Sequence, residues 1–519
     1  MHEPGKSDRS VVPAKSAKID YWEFHQQWVE RMEGRDLAKE NAEEQNPPQA
    51  VSTPQTERTQ RRTGKGQARS EGMSQALERI RQAACRDKRQ KFTSLWHHVY
   101  DMDRLHEACQ SIRRQASAGI DGVTWKQYAR QDLEGNLQDL QQRLALCSYR
   151  AAPVRRTYIP KPDGKERPIG VPVLEDKIVQ RATVAVLNAI YENDFKGFSY
   201  GFRPGRSAHM ALDALAVGIR SRKVNWVLDA DIRSFFDTLD HEWLMKFVEH
   251  RIGDRRVLRH LRKWLNAGVL EAGQWHEQIE GVPQGGSISP LLANIYLHYV
   301  FDLWADQWRQ KHAAGEVILV RYADDFVVGF EKESDARKFL EDLKARLGRF
   351  NLELAADKTR IIHFGAQALK QKNDGGGGKP GTFNFLGFTH ICDKTRNGAF
   401  IVLRRTIAKR MRAKLRLIKD ELKRRKHHPI PEVGRWLRSV LQGHYRYFGV
   451  PRNSGAMNRF RNVIFWLWRR NLSARSQRGH LACAKYNPLA ERWLPLPQIC
   501  HPYPEQRLAV IIRGKSPVR

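Results

Sequence analysis

Two adjacent acids, Asp324 and Asp325, interrupt an otherwise apolar run, Val317-Ile-Leu-Val-Arg-Tyr-Ala-Asp-Asp-Phe-Val-Val-Gly-Phe330. A second acidic stretch, Trp226-Val-Leu-Asp-Ala-Asp-Ile-Arg-Ser-Phe-Phe-Asp237, carries Asp229, Asp231 and Asp237. Neighbouring carboxylates repel each other and call for cations. An Asp-Asp turn in a polar loop is merely solvated, but one between apolar strands projects from a core. If the two stretches lie side by side, three carboxylates converge into a hard-oxygen site. Such a site suits two Mg2+ ions about 3.5–4 Å apart, the arrangement that drives in-line phosphoryl transfer.

The elements that would position these acids follow from periodicity. The Val317–Phe330 stretch reads as strand, tight turn, strand. Side chains alternate along a strand, so Asp229 and Asp231 share a face with Val227. Asp237 lies past that strand, where it suits a turn or a helix cap. Whether Asp229 joins the site is left open.

Helical and strand-like stretches alternate from Met73 to about Phe350, which predicts an α+β fold. Ile407, Met411, Leu415, Ile418 and Leu422 recur at helical spacing and predict an amphipathic helix ended before Pro429. Further helices are expected over Glu432–Phe448 and Ala456–Leu472.

Residues 1–73 lack the apolar content to offset chain entropy and read as a flexible polar extension. Gln371 to Gly381, with Gly375–Gly378 inside it, reads as a mobile loop.

The chain has 519 residues, with 90 Lys and Arg against 57 Asp and Glu, a formal charge of +33. Mean hydropathy is −0.63 and no long apolar run occurs, which argues against a membrane protein. Six Cys without a C-x-x-C pair fit neither a disulfide framework nor a zinc ribbon, so a reduced, cytoplasmic setting is expected. Residues 401–519 hold 28 Lys and Arg and five acids, interleaved with Trp436, Tyr445, Tyr447, Phe448, Phe460, Trp466 and Trp468. Cations for backbone and rings for bases are the ingredients of RNA binding.

Eight ordered blocks carry a family resemblance. They are Gly119–Thr124, Ile159–Pro168, Ser199–Ser207, Asp231–Asp237, Gly281–Pro290, Tyr322–Asp325, Asp357–Thr359 and Phe385–Gly387. Together they resemble the reverse transcriptases encoded by bacterial group II introns, over roughly residues 74 to 510.

The resemblance implies a right-hand polymerase, with fingers and a palm built on an antiparallel sheet, followed by an all-α thumb/maturase domain. It suggests a helical extension of the fingers over 74–150, fingers and palm over 151–395, thumb/maturase over 396–480 and a basic tail over 481–519. It implies that Asp231, Asp324 and Asp325 hold two Mg2+ ions. Lys161 and Arg167 would grip the incoming deoxynucleoside triphosphate. Phe236, or failing it Phe235, would exclude a 2′-hydroxyl. Gln284, with Gly285 and Gly286, would open a helix against the template–nucleotide pair. Lys358 would assist the pyrophosphate leaving group, although a simply exposed lysine fits the sequence equally well.

The same resemblance implies RNA contacts from Arg404, Arg405, Lys409, Arg410, Arg412, Lys414, Arg416, Tyr445, Arg446, Arg469 and Arg470. The implied partners are the group II intron RNA and an RNA template with a DNA primer or target DNA, with no membrane. The expected form lacks a C-terminal His-Asn-His endonuclease domain. Two other readings remain: a splicing cofactor whose polymerase is a relic, and a reverse transcriptase of a defence or diversity-generating system. The intact acids oppose the first, and the basic C-terminal region opposes the second.

Overall fold

The computed structural model describes residues 75–160, 166–271, 273–277, 280–373, 379–475 and 481–511. The expected N-terminal extension, Lys161 and the run Gly375–Gly378 lie outside the described residues.

Eleven strands fall into three sheets among the described residues. The central sheet is antiparallel, in the order β6-β7-β3-β8, with β3 Trp226–Asp231, β6 Val317–Tyr322, β7 Asp325–Phe330 and β8 Arg360–His363. Alternation along these strands buries both faces. Leu228, Ala230, Leu319, Phe326 and Val328 enter one core, with the helices Ser289–Leu297 and Glu333–Gly348. Val227, Ile318, Val320 and Val327 enter a second core, with the helix Ala208–Ser221. Asp229 and Asp231 share the Val227 face, and Asp325 shares it through Val327.

A second sheet, β2-β1-β4-β5, joins β1 Val154–Pro160 and β2 Glu166–Val171 to the short β4 Val269–Glu271 and β5 Gln274–His276. The third sheet orders β11-β10-β9, with β9 Phe383–Phe385, β10 Phe388–Lys394 and β11 Phe400–Thr406. The boundary expected at 395/396 therefore cuts a paired hairpin, since β10 and β11 match from Phe388↔Thr406 to Lys394↔Phe400. The all-helical part begins instead with the helix Ala408–Arg424.

That helix and two others, Ile430–Phe448 and Ser454–Ser473, lie within two residues of the spans predicted from periodicity. Ile418, Leu437, Leu441, Phe460 and Trp468 meet in their common core. Residues 481–511 do not form a separate tail. The helix Cys483–Trp493 puts Tyr486, Ala490 and Trp493 into the same core. The helix Pro504–Ile511 returns to the helix Ala208–Ser221, where Arg507 Nε lies 2.9 Å from Asp213 and Glu505 lies 2.6 Å from Arg220. Just before it, the His501 ring packs 3.7 Å from that of His209. No described helix is long and apolar enough to cross a membrane.

Candidate active site

The β3–β7 ladder places Asp231 directly opposite Asp325. Residues so paired have Cβ atoms roughly 4.5–5.5 Å apart on one face. Asp324 follows Ala323 in the two-residue turn joining β6 to β7. The two acidic stretches, about ninety residues apart in the chain, therefore meet at one end of the central sheet.

The turn is held from several sides. Ala323 has φ of 55°, left-handed backbone that costs a residue with a Cβ on the order of 1–2 kcal/mol. Arg321, fully buried on the opposite face, donates from Nη1 to the Ala323 carbonyl at 3.0 Å and to Asn294 Oδ1 at 3.0 Å. Its other nitrogens form a two-pronged bond to buried Asp302, at 2.7 and 2.6 Å. Asn294 Nδ2 in turn donates to the Gly201 carbonyl at 2.7 Å. Gly201 lies so close to the turn that a Cβ there would overlap the Ala323 amide.

Each acid has a cation from a different part of the chain. The Lys358 ammonium binds the Asp231 carboxylate, Arg167 of β2 acts on Asp324, and Arg410 of the first thumb helix acts on Asp325. Asp229 pairs at 3.3 Å with Arg360, its neighbour in the ladder, so its charge is matched away from the turn. Asp324 and Asp325 are both pushed above the ordinary carboxylate range. Enclosure by protein is the first cause, and repulsion among Asp231, Asp324 and Asp325 is the second. Water still reaches Asp325, so repulsion is the firmer cause for that residue.

Hard carboxylate oxygens on one edge suit Mg2+ chemically. Among the described residues, however, no three His, Cys, Asp or Glu side chains already close around a common point. Lys358 occupies part of Asp231 in this arrangement.

Phe236 is half-buried in the turn that follows β3, whereas Phe235 is buried in the core with its ring 5.4 Å from that of Phe236. The Phe236 carbonyl accepts from Val282 at 2.7 Å, tying it to the Gly281–Pro290 block. In that block the Gln284 carbonyl accepts from Gly170 of β2 at 2.7 Å. A Cβ on Gly285 would lie 2.6 Å from the Gly170 oxygen. The helix begins at Ser289, later than expected, so Gln284–Gly286 form the loop before it. Gln180 steadies that loop, its side chain accepting from the Ser287 amide at 2.8 Å. The cap past β3 is Asp240, whose side chain accepts from Trp243, rather than Asp237.

Sequence reasoning missed Arg321, Asp302, Asn294 and Gln180. The one available signal was a lone arginine inside the apolar strand before the acids.

Three residues expected to bind RNA face inward instead. Arg404 is buried in an ion pair with Asp213 at 2.6 Å, and Tyr445 is buried with its hydroxyl donating to the Pro495 carbonyl. Lys414 is half-buried, its ammonium 5.5 Å from the centre of the Phe460 ring, and burial pushes its pKa down to about 7. Arg405, Lys409, Arg410, Arg412, Arg416, Arg446 and Arg470 are exposed. Arg469 is half-buried over the Trp466 ring.

Acids meeting at the bend of an antiparallel hairpin, flanked by a fingers sheet and a helical thumb, define a right-hand polymerase. Residues 159–390 match the family described as reverse transcriptase (RNA-dependent DNA polymerase). The Escherichia coli K12 protein YkfC is 37% identical over 320 residues, covering 55% of this chain and 78% of that protein. The group II intron-encoded protein LtrA of Lactococcus lactis is 30% identical over 345 residues, and the match spans 57% of its length. Telomerase from Candida albicans overlaps with a TM-score of 0.38 at 14% identity, covering 70% of this chain and 62% of that one. The chain belongs to the group II intron reverse transcriptase/maturase family, whose polymerases copy RNA into DNA.

Proposed function

We propose that this protein copies RNA into complementary DNA at the Asp231–Asp324–Asp325 edge, and that it binds the group II intron RNA from which it is expressed to assist splicing and mobility. The observation that carries the catalytic part is the register that sets Asp231 against Asp325 with Asp324 at the tip of the turn. Asp231, Asp324 and Asp325 would hold two Mg2+ ions. When bound, such ions activate the primer 3′-hydroxyl and neutralise charge on the α-phosphate and the departing pyrophosphate.

The chain's own groups do the rest. Arg167, and Lys161 beside it in sequence, hold the triphosphate. Phe236 closes the space a 2′-hydroxyl would need, favouring deoxynucleotides. Gln284 and the glycines after it border the base pair being formed. Lys358 moves from Asp231 toward the pyrophosphate as the site fills. Arg405, Lys409, Arg410, Arg412, Arg416, Arg446, Arg469 and Arg470 neutralise the backbone of the intron RNA or of the template–primer duplex. The work is cytoplasmic, with an RNA template and a DNA primer or target DNA.

Primer extension on an RNA template with Mg2+ tests the reading. Asp324→Ala is expected to abolish extension while intron RNA binding stays within a few-fold of the parent. Synthesis retained in that variant would overturn the assignment of the acids.

A further inference from the structure

The block Ser199–Ser207 takes no part in the chemistry described above, yet it packs against the turn that carries the acids. Upstream, Ser199 bridges Arg321 of β6 in parallel. The Arg321 amide donates to the Phe198 carbonyl at 2.9 Å, and the Tyr200 amide donates to the Arg321 carbonyl at 2.8 Å. Asn294 holds the Gly201 carbonyl. Downstream, buried Arg203 donates from Nη1 to the carbonyls of Lys196 and Ser199, at 2.8 Å each, and pairs with Glu192 at 3.0 Å. Ser207 then caps the helix Ala208–Ser221. The backbone is thus fixed on both sides of Phe202.

Phe202 has φ of 56°. Left-handed backbone is uncommon for any residue but glycine, and a true outlier for a bulky one. It persists only where the surroundings impose it, and such residues gather at functional sites. Glycine holds this backbone at no steric cost, as Gly205 does a few positions on at φ of 71°. What phenylalanine adds is a ring.

That ring is half-buried, with its centre 6.2 Å from that of Tyr322 and the two planes at 45°, within the range where aromatic rings attract. Tyr322 ends β6 and pairs with Asp325, which pairs in turn with Asp231. Residues so paired point to one face of a sheet. Tyr322, Asp325 and Asp231 therefore form a row across the end of the sheet, and the Phe202 ring meets that row at Tyr322. Ala323 and Asp324 follow Tyr322 directly, so a shift of Tyr322 passes straight to the turn.

We propose that Phe202 is a positioning residue for polymerisation: its ring, held out by strained backbone, braces Tyr322 and so sets where the Asp324–Asp325 turn stands. This role rests on the reading of those acids as the site of nucleotide addition.

The test uses the full chain with Phe202→Ala, Phe202→Gly and Phe202→Tyr. The Ala and Gly variants both lose the ring, but only the Gly variant relaxes the backbone, so it should have the higher Tm of the two. Maximal extension rates on a primed RNA template should nevertheless fall about tenfold or more in both, because a small misplacement of reacting groups is costly. The KM for deoxynucleotide and the affinity for the primed template should hold within about threefold, and the Tyr variant should extend like the parent. In the metal-free protein, hydrogen exchange of the amides over Tyr322–Phe326 should quicken about tenfold in the Ala and Gly variants but not in the Tyr variant. A Gly variant that extends at the parent's rate would overturn the role. So would rates that follow Tm, a loss confined to KM, or unchanged exchange at the turn. Failure of the parent to extend a primer would instead count against the catalytic reading, with the brace still judged by exchange.

Discussion

Arg321 donates a hydrogen bond to the carbonyl of Ala323 from the opposite side of the sheet, and so steadies the turn that presents Asp324. The same guanidinium is neutralised by Asp302, and both side chains are fully buried.

Removing one partner of such a pair strands a buried charge. Arg321→Met should cost roughly 3–5 kcal/mol of stability, seen as a large fall in Tm. The double variant Arg321→Met/Asp302→Leu should recover most of that loss, because an apolar pair of similar size can replace a buried ion pair. It should not recover extension, because the Ala323 carbonyl still lacks its donor. A stable double variant that polymerises like the parent would show that Arg321 serves the fold alone.

The crowded acids make a pH-dependent demand on stability. A carboxyl whose pKa is higher folded than unfolded holds its proton more tightly in the fold. It therefore supports folding at low pH and withdraws that support as pH rises through the folded value. For Asp324 and Asp325 the window runs from 3.8 to about 7. In the absence of divalent ions, Asp325→Asn should raise Tm at pH 8, and the gain should shrink toward pH 4. A constant difference across that range would show that the acids do not repel one another.

Phe236 is the half-exposed member of its pair, held in place by the Val282 hydrogen bond to its carbonyl. Phe236→Ala should leave extension with deoxynucleotides nearly intact and raise ribonucleotide use roughly 10–200-fold, the scale of small steric changes in a pocket. Competition between the two nucleotide types measures it. Unaltered discrimination would move the steric role elsewhere.

Lys358 competes for Asp231. Lys358→Met should lower the Mg2+ concentration needed for half-maximal extension and also lower the maximal rate, because the leaving group loses a cation. A titration of rate against Mg2+ separates the two effects. A rate unchanged at saturating Mg2+ would leave Lys358 with no part in the chemistry.

The parts legible in the sequence were those whose pattern is local. The thumb helices announce themselves by apolar spacing, and the Asp324–Asp325 turn by apolar strands on either side. What stayed hidden depends on partners far apart in the chain. Arg404 looks like one more cation in a basic stretch until β11 pairs with β10 and sets it against Asp213, 191 positions earlier. Tyr445 lies in an aromatic-rich, basic helix, yet its hydroxyl is used by Pro495.

The return of the C-terminal helix to Asp213 has a mechanical consequence. The chain leaves the palm at Arg404, builds the thumb, and comes back at Arg507 to the same carboxylate. Both ends of the helical part are thus tied to one buried carboxylate, while Tyr447 and Asn453 anchor its middle to Leu386 and Thr406. Any opening of the thumb is therefore expected to strain the Arg404 and Arg507 pairs together, so the two ends of a sequence-distant segment yield as one unit.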